Sequence, residues 1–426
     1  MKLEPINKRI IVSISFSNYL KEKSGVPKVV MSHSKMYQEN NVSYISLFSV
    51  KKTIINDYTF LFCKYGIIID GKYIGIYQMS SIINYLVTLI DSGYTMVGIH
   101  IHHLIYNNLK RIKEFLDTFY DIPIFYFIHD YFSCCTNYNL MKNGKSFCGG
   151  EGLILNNCKD CNSYSLTKKY TCKIKDLFSH YRDRILFIAP SEVAKKIFLN
   201  FYPKYSKSII VISHQKYNGK YKENLGKIDM TKRLKLGFLA MPNNHKGWNV
   251  FKKMAEHYSN YDFYVFNSSE ETYTNMIKRK VAFSENDGNA MVSALRKEGI
   301  DIAILWSLCA ETYSFTYNEA YASNCFVLTN ELSGNIRDSV YKNKNGIVLK
   351  NETELFKLLD DEKELKEMIC KYKNTTEGGP LELLDNNEII TLTKNAENKI
   401  KGKTEYKRMF KFNNKPLLLL LNLLCN

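Results

Sequence analysis

The chain has 426 residues, a hydrophobic fraction of 45% and a formal net charge of +17. This length and composition suit a globular protein of two or three domains, and no apolar stretch is long enough to span a bilayer. The first residues lack the apolar core of a signal peptide, so we expect a cytoplasmic protein whose charge favours an anionic partner: a nucleotide, a nucleic acid or an acidic membrane.

The chain opens with an apolar strand, a loop and an apolar helix. Arg9–Phe16 predicts the strand, and Gly25–Met31 predicts the start of the helix. This order is typical of the first unit of a nucleotide-binding domain, in which Gly25 would let the backbone approach a ligand closely. The alternative is an ordinary helix start. Further strands are predicted at residues 44–48 and 60–63.

A third stretch, the predicted strand Met96–Ile101, ends among the histidines His100, His102 and His103. His100 and His102 lie on one side of the strand, as a metal site would require, but no carboxylate pattern accompanies them. We therefore favour a strand that ends near a binding cleft over a metal site.

A polar pair follows the next apolar strand. Ile124–Ile128 predicts a buried strand, and His129-Asp130-Tyr131 comes directly after it. A histidine at the carboxyl end of a strand can hydrogen-bond a sugar hydroxyl, and the adjacent Asp130 could set its tautomer. The alternative is a His-Asp pair that caps the strand.

A cysteine cluster occupies residues 134–172, which are rich in Asn, Gly, Lys and Ser. Cys158-Lys159-Asp160-Cys161 has the spacing of a structural zinc site, and Cys135 and Cys148 would complete four thiolates. A metal would stabilise a loop that has little core of its own. The alternative is a set of reduced thiols, since disulfides are rare in the cytoplasm.

The second half of the chain repeats the alternation of strands and helices. Residues 216–233 are polar and predict a linker, after which Leu234–Ala240 predicts a strand that leads to Lys246-Gly247. Two further buried strands are predicted at Ile300–Leu308 and Cys325–Thr329.

Between these last two strands lie Glu311 and Glu319. A helix Tyr313–Ala322 would point its N-terminus at the carboxyl edge of the sheet, where free N–H groups favour a phosphate. Glu319 lies about two turns beyond Glu311 on nearly the same face, and its carboxylate could accept two hydrogen bonds from a ribose. The alternative is a solvated helix with two surface glutamates.

Glu311, seven further residues, Glu319 and Ala320-x-Ala322 together resemble the signature of the group 1 glycosyltransferase family, which comprises retaining enzymes with the GT-B fold. His129-Asp130-Tyr131 and Lys246-Gly247 resemble further motifs of that family, and the similarity runs from residue 10 to residue 350. Two positions depart from the pattern. Ser323-Asn324-Cys325-Phe326 replaces a Cys-Gly-x-Pro turn, and Met241 stands where the family has an arginine that binds the donor diphosphate. His245 or another basic group is a candidate substitute for that arginine.

The resemblance implies an α/β protein with two facing Rossmann-like domains, each with a parallel sheet, and a cleft between them. It implies an N-terminal acceptor-side domain at 1–215 with a Cys-rich insertion at 134–172, a linker at 216–233, a donor-nucleotide domain at 234–395 and a basic tail at 396–426. The implied activity is transfer of a hexose from a nucleotide-sugar donor to a glycan or lipid-linked acceptor in surface polysaccharide biosynthesis, with retention of anomeric configuration. Because no Asp-x-Asp motif occurs, we expect no cofactor in the chemistry and, at most, a structural zinc.

The resemblance also assigns roles to single residues. Glu311 and His129 would position the donor sugar as the catalytic residues, and Glu319 would bind the ribose. The residues expected to contact the diphosphate are Gly25, Lys246, Tyr313, Ser314 and Phe315.

The end of the chain is basic from Lys394 to Lys415 and leucine-rich from Leu417 to Leu424. Such a segment is too short to cross a bilayer, but it could lie on the anionic inner face of a membrane. The alternative is a helix that packs across both domains. The rival function is a basic nucleic-acid-binding protein with a zinc knuckle. It would explain the charge but not the alternating strands and helices, so we expect no nucleic-acid partner.

Overall fold

A computed structural model describes residues 4–50, 63–219, 229–283, 287–375, 381–397 and 405–406. The predicted strand at 60–63 and the predicted linker at 216–233 fall partly outside these ranges, and the tail at 396–426 falls almost entirely outside them. Within the described ranges, no helix combines the length and the apolar character needed to cross a membrane.

The first domain is built on an eight-stranded sheet. The strands in this half of the chain are β1 (Arg9–Ser15), β2 (Ser43–Ser49), β3 (Lys64–Ile69), β4 (Lys72–Gln78), β5 (Thr95–Ile101), β6 (Ile124–Phe127), β7 (Met141–Lys142), β8 (Ser146–Phe147), β9 (Ile185–Ala189) and β10 (Ile209–Val211). The sheet order is β10-β9-β6-β5-β1-β2-β3-β4, in which only β3 and β4 run antiparallel to their neighbours. Its central strands are continuous apolar runs because helices cover both faces of a parallel sheet.

Six helices accompany this sheet among the described residues: α1 (Gly25–Glu39), α2 (Met79–Asp91), α3 (Leu109–Thr118), α4 (Leu155–Cys158), α5 (Tyr164–His180) and α6 (Glu192–Phe201). Side-chain caps begin two of them. Asn108 accepts a hydrogen bond from the N–H of Arg111 in α3, and Ser191 accepts one from the N–H of Ala194 in α6. Each cap satisfies an N–H that has no partner within its own helix.

The second domain has a six-stranded sheet in which every neighbouring pair is parallel. Its strands, in the order β14-β13-β12-β15-β16-β17, are β12 (Lys235–Phe238), β13 (Asp262–Asn267), β14 (Ile277–Lys280), β15 (Ile302–Ile304), β16 (Phe326–Asn330) and β17 (Gly346–Leu349). Its helices are α7 (Trp248–His257), α8 (Ala290–Glu298), α9 (Phe315–Ala322), α10 (Asn335–Asn343), α11 (Glu352–Asp360) and α12 (Glu362–Thr375). The predicted α/β architecture with two parallel-sheet domains is confirmed.

The chain crosses between the domains twice. On the way out, β11 (Gln215–Asn218) pairs antiparallel with β18 (Glu382–Asp385), which lies on the way back. The final helix, α13 (Glu388–Glu397), then packs against the first domain, although the predicted domain boundary assigned residues up to 395 to the second. Thr393 of α13 contacts the Tyr37 hydroxyl at 2.5 Å, and Glu397 pairs with Arg9.

Two predicted elements differ from the structure around residue 311. The predicted strand Ile300–Leu308 is regular only as β15, because the N–H of Leu308 donates to the carbonyl of His245 at 2.8 Å and not to a neighbouring strand. The helix predicted from Tyr313 begins at Phe315, because Ser314 acts as its N-cap and accepts from the N–H of Tyr317 at 3.1 Å.

Candidate functional site

The segment around Glu311 lies at the contact between the two domains. The Thr312 hydroxyl donates to the carbonyl of His129 at 2.5 Å, and the Ser191 hydroxyl donates to the carbonyl of Thr312 at 2.7 Å. His129 follows β6 and Ser191 follows β9, so both belong to the carboxyl edge of the first sheet. The structure therefore brings together the two residues that were predicted to be catalytic, Glu311 and His129, at one edge of each sheet.

Glu311 pairs with Lys246. The ammonium of Lys246 donates to Oε1 of Glu311 at 2.6 Å, and the hydroxyl of Ser307 donates to the same oxygen at 2.7 Å. In the described part of the chain, Oε2 of Glu311 accepts no hydrogen bond, and it can receive a substrate hydroxyl. Burial acts to lower the pKa of Lys246, but the charge of Glu311 and its hydrogen bond raise that pKa overall. Lys246 is thus a cation at neutral pH.

The loop that carries Lys246 is fixed by Gly247. Gly247 has φ of 82°, and a Cβ at this position would lie 2.3 Å from the carbonyl oxygen of Trp306. A glycine is therefore needed here both for the left-handed backbone and for the close approach to Trp306. The N–H of Leu308 also donates to the carbonyl of His245 at 2.8 Å. These contacts hold Lys246 beside the loop of Glu311.

Gly334 likewise fixes the backbone, on the other side of the Glu311 loop. Its φ is 61°, and a Cβ there would lie 2.7 Å from the backbone N of Glu311 and 2.7 Å from Cα of Ala310. The N–H of Asn335 donates to the carbonyl of Glu311 at 3.0 Å. The sequence analysis missed this residue, because a glycine ahead of a predicted helix gives no sign of what it packs against.

Glu319 does not stand open to the cleft. Its Oε1 accepts from the ammonium of Lys28 at 2.7 Å, and the two side chains are only 6% and 9% exposed. The ammonium of Lys28 also lies over the ring of Phe315, 4.7 Å from its centre. Because Lys28 belongs to α1 and Glu319 to α9, this buried ion pair joins the two domains. Sequence analysis missed Lys28 because most of the chain lies between it and Glu319.

Gly25 lies beside the same helix. A Cβ at Gly25 would lie 3.8 Å from the ring of Phe315, which is an ordinary packing distance. The structure places Gly25 at the start of α1 next to Phe315, and its contact with a ligand stays a prediction.

His129 is held by a second histidine. Its Nε2 lies 3.0 Å from Nδ1 of His102, and its ring lies 5.2 Å from that of His214. Burial, followed by the neighbouring histidines, places the pKa of His129 well below its ordinary value. His129 is therefore neutral at physiological pH and can exchange hydrogen bonds with a sugar without adding charge.

Asp130 has a different role from the predicted one. Its Oδ2 lies 2.8 Å from Nε2 of His103, and its Oδ1 accepts from the N–H of Phe132 at 2.8 Å. Asp130 therefore orients His103 and the following turn, whereas the predicted orienting role toward His129 belongs to His102.

Tyr313 and Ser314, which precede α9, and Phe315, its first residue, line the rest of the candidate site. The hydroxyl of Tyr313 donates to Oε1 of Gln215 at 3.3 Å, and Phe315 stacks on His214 with ring centres 5.9 Å apart. The hydroxyl of Ser314 is committed to capping the helix. What remains for an anion is the set of backbone N–H groups in the first turn of α9.

Neither Met241 nor His245 adds a cation beside Lys246. Met241 is 44% exposed, and burial together with the charge of Lys246 lowers the pKa of His245, so this side chain is neutral at physiological pH. The second cation near α9 is Lys28.

The Cys-rich insertion is organised by the hairpin β7–β8. At its tip, Asn143 donates from Nδ2 to the carbonyl of Asp160 at 3.0 Å and accepts from the N–H of Asn162 at 2.8 Å. The hairpin thereby packs on the turn in which the N–H of Cys161 donates to the carbonyl of Cys158 at 2.9 Å. Burial raises the pKa of Cys158, and nearby Cys148 raises it further.

The four cysteines predicted to bind zinc are thus neighbours. Their sulfur atoms do not all lie as close together as the ligating nitrogens of three histidines in the first domain. Burial also raises the pKa values of Cys135 and Cys148. Across the described ranges, the group whose metal-ligating atoms all lie within 4.8 Å of one another consists of His33, His100 and His102.

No protein-family model matches the sequence, and no curated protein matches it. Solved structures match its fold. TarM gives a TM-score of 0.53 at 9% identity, over 93% of this chain and 100% of TarM. Sucrose-phosphate synthase from Thermosynechococcus elongatus gives 0.51 at 11% identity, over 91% of this chain and 97% of the synthase. HepE from Anabaena, solved in complex with UDP-glucose, gives 0.50 at 11% identity, over 91% of this chain and 98% of HepE.

These similarities extend over both parallel sheets and over the contact between them. They concern the fold and not single residues. The chain has the GT-B fold, in which two Rossmann-like domains face each other across a cleft.

Proposed function

We propose that this protein is a glycosyltransferase that moves a sugar from a nucleotide-sugar donor to a glycan or lipid-linked acceptor. The observation that carries the proposal is the meeting of Lys246, Glu311 and the start of α9 with His129 of the other domain. The fold is also that of HepE, whose solved structure contains UDP-glucose. The +17 charge alone would suit a nucleic acid, but this fold does not favour that alternative.

Different groups around the loop of Glu311 are assigned to different parts of the donor. Lys246 and the N–H groups that begin α9 offer positive charge to the leaving diphosphate, which is where negative charge develops during transfer. Glu311, through its unbonded Oε2, and the neutral His129 offer hydrogen bonds to the hydroxyls of the transferred sugar. We assign the start of α1 at Gly25 and the wall formed by Tyr313, Ser314 and Phe315 to donor binding as well.

Glu319 can offer both of its oxygens to the ribose only if Lys28 releases Oε1. The two charges already satisfy each other in the closed cleft. A donor that places its ribose hydroxyls on Glu319 would free the ammonium of Lys28, and the diphosphate is the nearest anion it would meet. In this assignment Lys28 supplies the cation that Met241 cannot.

Lys246→Met is expected to weaken nucleoside diphosphate binding by about tenfold to a hundredfold, since a charge-assisted hydrogen bond contributes about 1.5–3 kcal/mol. Isothermal titration with UDP, GDP and ADP gives the affinities. Lys252→Met is the matched control, because Lys252 is an exposed lysine of α7 that contacts Glu256. The proposal fails if none of the diphosphates binds the unmutated protein, and the role of Lys246 fails if both variants bind equally.

We further propose that the transferred group is a hexose, that transfer retains the anomeric configuration and that it requires no catalytic divalent metal. The support is the resemblance around Glu311 and Glu319 and the lack of an Asp-x-Asp motif in the sequence. The configuration of the product by NMR, from a reaction run with a chelator, tests both the stereochemistry and the metal requirement.

The four cysteines of the insertion are proposed to bind a structural zinc. Thiolates at Cys135, Cys148, Cys158 and Cys161 would suit zinc, and the hairpin β7–β8 already packs against the turn that holds two of them. Cys158→Ser/Cys161→Ser is expected to lose about one zinc per chain by elemental analysis and to make residues 134–172 more sensitive to protease, with nucleotide binding retained. Cys172→Ser, at an exposed cysteine of α5, should change none of these. Equal zinc content in both variants would contradict the assignment.

We propose that the enzyme acts in the cytoplasm at the inner face of a membrane in surface polysaccharide biosynthesis. The basic stretch Lys394–Lys415 and the leucines at 417–424 would provide two weak membrane signals. The full chain is expected to sediment with anionic vesicles, less with neutral ones, and to be released by salt. Deletion of residues 414–426 should remove the salt-resistant fraction. Loss of cooperative unfolding in the shortened chain would instead assign the leucines to the core.

A further inference from the structure

A cluster of histidines lies inside the first domain, directly behind the candidate site. His33 comes from α1, whereas His100 and His102 come from β5. Their side chains are buried, at 5%, 0% and 1% exposure, and each offers a metal-ligating nitrogen within 4.8 Å of the others. The sequence analysis disfavoured a metal at His100 and His102, because no carboxylate pattern accompanies them, and it did not consider His33.

The hydrogen bonds around His100 indicate which of its two ring nitrogens carries the proton. Thr393 donates its hydroxyl proton to the carbonyl of Ile389 at 2.9 Å, so it accepts the proton of Tyr37 at 2.5 Å. Tyr37 can then only accept from Nε2 of His100, at 3.3 Å. His100 therefore carries its proton on Nε2, and its Nδ1 has a lone pair.

Tyr44 lies between two of these rings and has a single hydroxyl proton. Its hydroxyl lies 2.9 Å from Nε2 of His102 and 3.4 Å from Nδ1 of His100. Its oxygen is therefore within hydrogen-bond distance of a nitrogen on each of the two rings that β5 contributes.

His33 carries an unsatisfied nitrogen. Its Nδ1 is buried and has no hydrogen-bond partner among the described residues. A buried polar atom without a partner costs about 1–3 kcal/mol, so such atoms are rare unless a ligand satisfies them. Burial also lowers the pKa values of all three histidines, most of all by desolvation, so their nitrogens are neutral.

The spacing of the rings fits three imidazoles on one ion. At metal–nitrogen distances of about 2.1 Å, tetrahedral geometry places imidazole ring centres about 5 Å apart. The observed distances between ring centres are 5.1 Å for His33 and His102, 5.8 Å for His33 and His100, and 5.9 Å for His100 and His102. Phe127 stacks on His102 at 4.5 Å and completes an apolar shell.

We propose that His33, His100 and His102 bind a divalent transition metal, with the oxygen of Tyr44 as the fourth ligand. Three neutral imidazoles and one oxygen suit zinc, which accepts this donor set in tetrahedral geometry. Tyr44 would release its phenolic proton to solvent as the hydrated metal ion enters, and the resulting negative charge would offset part of the charge of the buried ion. No other bond is made or broken.

The site would also order the cleft. A metal on Nε2 of His102 fixes the proton of that ring on Nδ1, from which it donates to His129. The metal would thereby hold His129 in a single tautomer and cross-link α1 to β2 and β5 behind the candidate site. Metal binding itself does not depend on the proposed glycosyltransferase activity, so the two can fail separately.

Metal content tests the proposal in the full chain, with Cys158→Ser/Cys161→Ser as background to remove zinc from the insertion. After incubation with Zn²⁺ and gel filtration, this protein is expected to retain about one zinc per chain by elemental analysis. Adding His33→Leu should abolish the retained zinc, whereas adding His257→Ala, an exposed histidine of α7, should not. Equal zinc with His33→Leu, or no retained zinc in the background protein, would overturn the proposal.

A spectroscopic measurement covers the case in which His33→Leu does not fold. The background protein loaded with Co²⁺ is expected to show the visible absorption of four-coordinate cobalt without a thiolate charge-transfer band. A thiolate band, or no bound cobalt, would overturn the proposal.

Discussion

Glu319→Leu is expected to lower the free energy of unfolding by about 3–5 kcal/mol, because it leaves the buried ammonium of Lys28 without its carboxylate. The pair spans two domains, so the protein has a second way to relieve the unpaired charge. It can open the cleft and let water reach Lys28. A smaller loss in urea unfolding should therefore be accompanied by a larger radius of gyration in small-angle scattering.

The reciprocal variants define the pair. Lys28→Met alone should destabilise the protein similarly, whereas Lys28→Met/Glu319→Leu should return close to the unmutated value, because two apolar side chains can replace a buried ion pair without penalty. The same cycle at Lys253 and Glu352, which pair at 3.0 Å with 60% and 44% exposure, should show almost no coupling. If the losses of stability at Lys28 and Glu319 were purely additive, the ion pair would not join the two domains.

The double variant also separates stability from binding. If Glu319 binds the ribose, Lys28→Met/Glu319→Leu should fold and yet bind nucleoside diphosphates poorly. Unchanged nucleotide affinity in this folded variant would remove Glu319 and Lys28 from the donor site.

Gly334→Ala is expected to displace the loop of Glu311. The left-handed backbone of Gly334 would cost about 1–3 kcal/mol with any other residue, and the added Cβ would press on backbone atoms of Ala310 and Glu311 at a similar further cost. Because those atoms are main chain, no side-chain rotation can relieve the contact. We expect a lower free energy of unfolding and, in parallel, weaker nucleoside diphosphate binding.

Gly288→Ala is the matched control, because a Cβ at Gly288 would meet no atom within 4 Å. This variant should keep both the stability and the nucleotide affinity of the unmutated protein. If Gly334→Ala behaves in the same way, the glycine does not position Glu311.

Local pattern was sufficient to predict the frame of the fold. The apolar run Ile124–Ile128 and the polar residues after it placed His129 at a sheet edge, and the structure agrees. Glu311 was predicted in the same way, from its position after an apolar run. These predictions succeed because the alternation of strand and helix and the residues at strand ends are properties of short segments.

The partners of these residues could not be predicted from short segments. Lys28 and Glu319 lie 291 positions apart, and no periodicity links a lysine of α1 to a glutamate of α9. His33 joins His100 only because α1 packs on the sheet. Asp130 was expected to orient its neighbour His129, but successive residues of a chain that leaves a strand point to different sides, and Asp130 reaches His103 instead.

The pairing of β11 with β18 determines how the two halves of the molecule can move. The outgoing and returning strands are hydrogen-bonded side by side, so a change in the angle between the domains must move both strands together. The described residues after the pairing contact the first domain: α13 packs there, and the hydroxyl of Tyr406 donates to Asp91 at 2.6 Å. A chain end fastened to a surface would therefore hold the first domain directly, and the domain that carries Lys246 and Glu311 only through it.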